Sequence, residues 1–390
     1  MISVAEALDA LSELARPLET ETVPLRAAAG RVLARDVAAT RTQPPFAASS
    51  MDGYALRRVE VEPDAMFRVI GEAAAGHSFE GTVGPGQCTR IFTGAPMPEG
   101  TDFVVIQEDV TRRGDLITLG RDVGSKDNIR PAGGDFSTGD TMSAPRRLGP
   151  ADVALLAAMN IAGVPVFRAP SVALIATGDE LVMPGEAPGP DQIIASNTFG
   201  LAAQLEALGA RPRMMPIARD TESALQTVLR LAADADLIIT IGGASVGDHD
   251  LVAGVAADMG MEQSFYKVAM RPGKPLMAGR LGGVPMIGLP GNPVSALVCG
   301  TVFVAPVVAA MQGLPLRPAR RLTTSLACDV PENGPREHYM RARLGPDGLE
   351  PFGSQDSSLL TVLAGADALL VRAPGDPARK SGDTVEYIPL

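Results

Sequence analysis

From residue 171 onward the hydrophobic residues alternate between two periods, and this alternation narrows the possible folds more than any other feature of the chain. Uninterrupted apolar runs at 172–176 and 237–241 have the length and composition of strands buried on both faces. Between them lie segments of helical period. One opens at Asn197, with Leu201, Leu205 and Leu208 on one face and Gly209 after it; the other opens at Asp220 and Thr221, with Leu225, Val228, Leu229 and Ala232. Residues 213–217 and 286–289 add strand-like runs, and a long apolar helix follows the second. Strand, helix and strand repeated in this order predict a parallel sheet covered by helices on both faces, an αβα three-layer α/β domain.

The flanking regions read differently. Ser3 and Glu6 form a Ser-x-x-Glu capping box, and Val4, Ala7, Leu8, Leu11 and Leu14 follow at helical spacing until Pro17. A strand-like piece at 22–25 and a short helix-like segment at 30–34 precede a Pro-containing loop at 42–54. Residues 54–142 carry short β-type runs at 66–70, 102–107 and 116–119, broken by Gly and Pro, which predict a small all-β module. Gly149 and Pro150 start a helix that runs to Met159 and is expected to pack against the N-terminal one. Past Pro315, runs at 322–326, 339–344, 368–372 and 384–388 predict a compact C-terminal β module. The 42 glycines and 33 prolines among 390 residues, well above the roughly 12% average for the pair, suit several small modules joined by many turns.

Charge and cysteine usage exclude several function classes. With 34 Lys+Arg against 45 Asp+Glu the net charge is −11, and no basic run exceeds a pair, so the surface lacks what a nucleic-acid backbone requires. Cys88, Cys299 and Cys328 lie far apart with no metal-ligand spacing, which argues against a disulfide framework or a zinc site. The first residues lack a basic and apolar leader, so the cytoplasm is the expected compartment. No charge occurs between Arg280 and Arg317, and the apolar stretch 294–311 is long enough to cross a bilayer. Pro285, Pro290, Gly291, Pro293, Gly300 and Pro306 punctuate it, however, and favour a helix buried in an α/β core or a subunit interface over a membrane span.

The chemistry-bearing motifs gather in the α/β region. Thr177-Gly-Asp-Glu180 and Gly242-Gly-Ala-Ser-Val-Gly-Asp-His-Asp250 follow the carboxyl ends of strands, where open sheets of this kind bind ligands. Gly242, Gly243 and Gly247 let backbone N–H groups approach an anion and Ser245 adds a hydroxyl; the plainer reading is a tight turn. Asn292 and Pro293 suit the cap and first turn of the long helix, aiming its free N–H groups at a phosphate or carboxylate, or simply starting the helix. Lys267, Arg271 and Lys274 form a basic cluster in an acidic protein, either a solvated face or an anion clamp. Asp52, Asp135, Asp179, Glu180, Asp220, Asp248 and Asp250 lie in Gly-rich loops or at helix starts and offer hard oxygen ligands of the kind Mg²⁺ takes. For any single one a turn or cap role is the simpler account. His77 and His338 have no metal spacing or triad partner and read as structural; His249 is left open.

Taken together, the chain resembles the molybdopterin molybdenumtransferase family, the MoeA proteins and the E domain of gephyrin. The segments that carry the resemblance are Ser50-Met-Asp-Gly-Tyr-Ala55, Ile91-Phe-Thr-Gly-Ala-Pro96, Arg130-Pro-Ala-Gly-Gly-Asp135, Thr177-Gly-Asp-Glu-Leu181, Gly242 to Asp250, Arg271-Pro-Gly-Lys-Pro275 and Gly288-Leu-Pro-Gly-Asn-Pro-Val-Ser-Ala296, in family order over most of the chain.

The resemblance implies four domains: a discontinuous helical N-terminal domain (1–44 and 139–170), an inserted β domain (45–138), the α/β molybdopterin-binding domain (171–316) and a C-terminal β barrel (317–390). It implies a homodimer whose active site is shared between subunits. The implied reaction takes adenylylated molybdopterin and molybdate and, with Mg²⁺, releases AMP and leaves molybdenum on the dithiolene sulfurs. Glu180, Asp220 and Asp250 would surround the metal, and Asp52, Thr93 and Asp135 would close from the partner subunit. Lys267, Arg271 and Lys274 would hold phosphates or molybdate and Pro290 and Pro293 would shape the loop, with Arg341 and Ser354 matching more loosely. Arg271 stands where the family often has Lys, which keeps the charge but changes its geometry. The adenylyltransferase of the same pathway is both an implied partner and, because its α/β domain is similar, an alternative identity. A non-catalytic pterin-binding scaffold is the alternative from another class. No nucleic acid and no membrane are implied.

Overall fold

The computed structural model describes residues 1–243 and 251–390. Its centre is a six-stranded sheet in the spatial order Arg211–Met214, Ser171–Ala176, Leu237–Ile241, Val284–Leu289, Met277–Leu281, Glu262–Tyr266. The first four strands are parallel, as the alternating pattern predicts. The last two are antiparallel, so the sheet is mixed rather than wholly parallel. The sequence hid this edge for a physical reason. Glu262, Gln263 and Ser264 are exposed on an edge strand, and Gly279 interrupts the next, so neither strand shows a continuous apolar run.

Alternate residues of the central strands serve two cores. Val172, Leu174, Leu237 and Ile239 face the helices Asn197–Ala207 and Pro293–Met311. Ala173, Ile175 and Ile238 face Glu222–Leu231 and Leu251–Asp258. Such period-two division between buried faces is what two helical layers over one sheet require. The long apolar helix is a core element: 78% of its most hydrophobic window is buried within the protein. Its middle, Gly300–Val304, is a π-helical turn just before Pro306, which has no N–H to donate back into the helix.

The N-terminal helix Val4–Leu14 has the predicted capping box, with Ser3 N donating to Glu6 Oε2 at 2.7 Å and Glu6 N to Ser3 Oγ at 3.2 Å. It packs on the α/β core rather than against the helix Pro150–Ala158, because Val4, Leu8 and Leu11 join the cluster around Phe265 and Phe303. Arg280 closes its far end by donating to the carbonyls of Glu13 and Leu14. The helix Pro150–Ala158 instead buries Leu156 in a separate core with Ala28, Leu33 and Val164. The segment expected to be helical at 30–34 is a short strand, Val32–Leu33. Both residues are wholly buried and pair with Arg146–Arg147, so sheet pairing overrides local helical preference.

The β module is a second six-stranded sheet, ordered Phe103–Ile106, Gly53–Leu56, Gln87–Ile91, Met66–Ala73, Leu116–Leu119, Val110–Arg113. At the C-terminus Glu337–Gly345, Ala368–Arg372, Thr384–Pro389 and Leu322–Ser325 form successive antiparallel pairs, and Gly348–Pro351 pairs back on Glu337–Gly345. A bridge from Leu326 to Leu349 links the two ends of this path. Met270–Arg271 of the α/β region runs parallel to Glu337 and His338, joining the two modules at the basic cluster.

Candidate active site

At the carboxyl ends of Ser171–Ala176, Leu237–Ile241 and Val284–Leu289 lies a cleft of about 830 Å³. Glu180, Asp220, Gly242, Gly243, Pro290, Asn292 and Pro293, all singled out from the sequence, line it. The strands position them because the residues that follow each strand are the first released from the ladder. Thr177 N still donates to the carbonyl of Ile241, and Gly242 N to that of Leu289, so the three loops leave the sheet side by side. Gly242 has φ +93°, and a Cβ there would stand 2.8 Å from the carbonyl oxygen of Thr177. A side chain at 242 would push two walls of the cleft apart, whatever the loop also does for an anion.

Asp220 has a more specific role than capping. The cap of the next helix is Thr221, whose hydroxyl accepts from Ala224 N at 3.3 Å. Asp220 instead exchanges bonds with the neighbouring loop: its N donates to Asp179 Oδ1 at 3.2 Å, and its Oδ2 accepts from Asp179 N at 3.4 Å. Among the described residues no three His, Cys, Asp or Glu side chains gather as a metal site. Among the described residues, Glu180 and Asp220 are the two carboxylates that the cleft presents. Ser245, Gly247 and Asp250, with Asp248 and His249, lie outside the described residues.

The start of the long helix departs from expectation. Asn292 makes no cap bond; its Nδ2 donates to Ser357 Oγ at 3.0 Å, and Ser357 O accepts from Val294 N at 3.0 Å. The helix start is therefore a docking point for the C-terminal module more than an open set of donors. Ser358 reaches the cleft from that module, whereas Ser354 is exposed and does not line it. Ser196, Asn197 and Thr198 also line the cleft, and Asn197 Nδ2 donates to the carbonyl of Gly291 at 2.7 Å. The sequence reading missed these three. Their signal was Ser-Asn ahead of a helical period, which is also an ordinary cap pattern.

Of the basic cluster, only the Pro275 end of its loop touches the cleft. Lys267 sits with its Nζ 4.7 Å above the Tyr266 ring, Arg271 is exposed and Lys274 half-buried. Arg341 is wholly buried, 0% exposed; its Nη2 donates to Asp356 O at 3.0 Å, while Nε and Nη1 have no partner. Burial, and then the nearby charge of Arg271, pull its pKa below the usual guanidinium range. His338, 7% exposed, is pushed down to about 4 by burial and then by the charges of Arg271, Arg341, Arg372 and Arg336, so it is neutral at physiological pH.

Asp52 and Thr93 come together on the β module. Thr93 donates both its N, at 2.7 Å, and its Oγ1, at 2.8 Å, to Asp52 Oδ1. These bonds, backbone first, hold the carboxyl below its ordinary pKa. Asp135 is exposed in a neighbouring loop, its N donating to the carbonyl of Gln43. None of the three lines the cleft of its own chain.

Comparison with known proteins identifies this arrangement. Residues 2–160 match the MoeA N-terminal region (domain I and II), 173–310 a probable molybdopterin binding domain, and 323–390 the MoeA C-terminal region (domain IV). The chain is 37% identical to the molybdopterin molybdenumtransferase of Nostoc sp., over 95% of this chain and 89% of that one. It is 32% identical to the Bacillus subtilis protein of the same name, over 99% and 94%. The chain belongs to the molybdopterin molybdenumtransferase family. A crystal structure of the molybdopterin biosynthesis moeA protein from Pyrococcus horikoshii OT3 superposes over all of both chains with a TM-score of 0.86 at 27% identity.

In molybdopterin molybdenumtransferase terms, the cleft is built mainly by the stretch matching the molybdopterin binding domain, with Ser358 from the C-terminal region. Asp52, Thr93 and Asp135 belong to the N-terminal region and Arg341 to the C-terminal one. The candidate residues thus divide between a formed cleft and outlying groups.

Proposed function

We propose that the chain is a molybdopterin molybdenumtransferase, inserting molybdenum from molybdate into adenylylated molybdopterin with Mg²⁺-dependent release of AMP. The observation that carries this reading is the pairing of Glu180 and Asp220 on the wall of the cleft at the carboxyl ends of the strands. Its size, about 830 Å³, lies within the roughly 300–1,000 Å³ usual for small-molecule sites. Leu181, Ile193 and Ile194 give it an apolar lip suited to a flat ring system, and Gly242 and Gly243 let backbone approach phosphate oxygens.

Two carboxylates completed by substrate phosphates and water are an ordinary Mg²⁺ ligand set, so Glu180 and Asp220 fit the ion. Mg²⁺ bound there would supply charge neutralisation to the pyrophosphate oxygens. What the chain itself contributes is positioning, which suits phosphoanhydride cleavage because little covalent chemistry is asked of the protein. For molybdate, the exposed Arg271 and the half-buried Lys274 beside the cleft supply cationic charge, with the buried Arg341 close enough to feel Arg271.

The protein is further proposed to act in the cytoplasm as a homodimer, Asp52, Thr93 and Asp135 completing the partner's cleft. That these residues do not reach their own chain's cleft supports the sharing. Mixing Asp52→Ala with Glu180→Gln, each inactive alone, should then restore about a quarter of wild-type turnover, since half the dimers are mixed and each mixed dimer holds one intact site. No recovery after verified subunit exchange would refute a shared site. For the reaction itself, protein given adenylylated molybdopterin and Mg²⁺ should release AMP only when molybdate is added.

A further inference from the structure

The loop that carries Glu180 is irregular, yet every carbonyl along it has a partner. Arg219 Nη1 donates to the carbonyls of Asp179 at 2.9 Å and Leu181 at 3.2 Å, and stands 3.5 Å from that of Gly178. The intervening carbonyl, that of Glu180, accepts from Ile193 N at 2.8 Å. On the other edge of the loop Gly178 N donates to Ala218 O, and Asp179 and Asp220 exchange their two bonds. A backbone whose carbonyls are all engaged has little freedom to drift. Arg219 adjoins Asp220 in sequence and lies beside Asp179 and Glu180. Among the described residues it nevertheless forms no ion pair, its charge being turned to backbone oxygen.

We infer that Arg219 is a positioning residue for the transferase reaction: its guanidinium fastens the loop bearing Glu180 to the loop bearing Asp220 and so sets the separation of the two carboxylates. The inference rests on the proposed role of those carboxylates. Two consequences follow from the geometry. The cation braces the acidic pair without neutralising it, leaving both carboxylates available to a divalent ion. It also works from outside the cleft, since Arg219 does not line it.

The test compares Arg219→Ala, Arg219→Lys and Glu180→Gln in the full-length protein. Loss of an outer partner of this kind costs about 10–100-fold in metal affinity or activity. Arg219→Ala should lower kcat within that range and leave KM for adenylylated molybdopterin unchanged. Binding of Mn²⁺ in the presence of AMP, read from the electron paramagnetic resonance signal of the free ion, should weaken by a similar factor. Added guanidinium ion should restore both, and Arg219→Lys, which keeps donors for the carbonyls, should recover most of the loss. Wild-type kcat and Mn²⁺ affinity in Arg219→Ala beside an inactive Glu180→Gln would overturn the inference while sparing the functional reading. A raised KM with unchanged kcat would also overturn it, by showing that Arg219 touches substrate. Full activity of Glu180→Gln would remove the functional reading and this inference with it. If Arg219→Ala does not fold, Arg219→Lys decides: a kcat and Mn²⁺ affinity as low as those of Glu180→Gln would contradict the brace.

Discussion

Replacing Arg341 with Met should leave the protein close to its present stability or raise it. The guanidinium is fully buried with two nitrogens unpartnered and one donating to Asp356 O. Each unsatisfied buried donor costs about 1–3 kcal/mol, and a hydrogen bond from a charged group contributes about 1.5–3 kcal/mol. Substitution therefore recovers about 2–6 kcal/mol and surrenders about 1.5–3 kcal/mol, a balance running from about 1 kcal/mol against Met to about 4.5 kcal/mol in its favour, in line with apolar replacements of buried ionic groups. Because the chain has no Trp, urea unfolding is best followed by far-ultraviolet circular dichroism. A loss of about 3–5 kcal/mol in Arg341→Met, the mark of a broken buried pair, would refute the reasoning.

Three further outcomes follow from particular contacts. In Gly53→Ala the new Cβ would fall 1.9 Å from the Val105 carbonyl oxygen, in the strand next to it, so the β module should lose about 3 kcal/mol; limited proteolysis within 45–138 at unchanged rate would contradict this. In the folded protein the pKa of His338 is pushed down to about 4 from the ordinary 6.5, so between those values the unfolded chain binds the extra proton and stability rises with pH. His338→Asn should remove a slope of up to about 1.4 kcal/mol per pH unit from that window, measured by unfolding at several pH values. Thr93→Val removes one of the two bonds that depress the Asp52 carboxyl, so its pKa should rise toward the ordinary Asp value in a carboxyl NMR titration.

How far the sequence could be read depended on whether a feature is local. Leu201 and Leu205, the Ser3 to Glu6 capping box and the apolar run 237–241 declare their elements because the periodicity lies within one segment. The antiparallel edge strands were hidden by solvent exposure and by Gly279, and Val32–Leu33 by a pairing with Arg146–Arg147 more than a hundred residues away. In the site, Glu180, Asp220 and Gly242 were legible because strand ends are where such sheets bind ligands. The contacts of Asn292 with Ser357, and of Arg219 with the carbonyls of Gly178, Asp179 and Leu181, were not, because side chains meeting distant segments leave no pattern in composition or spacing. Asp52 and Thr93 were linked by family resemblance alone, and the register of Gly53 with Ile91 gives the physical reason they meet.

The central claim is that this cleft couples release of AMP to transfer of molybdenum onto the pterin. The most direct measurement supplies adenylylated molybdopterin, Mg²⁺ and isotopically labelled molybdate to the purified protein, then counts AMP released and labelled molybdenum recovered on the pterin product. The account predicts equal amounts of the two, with neither formed by Glu180→Gln. AMP released at the same rate without molybdate, or with no molybdenum on the product, would contradict it.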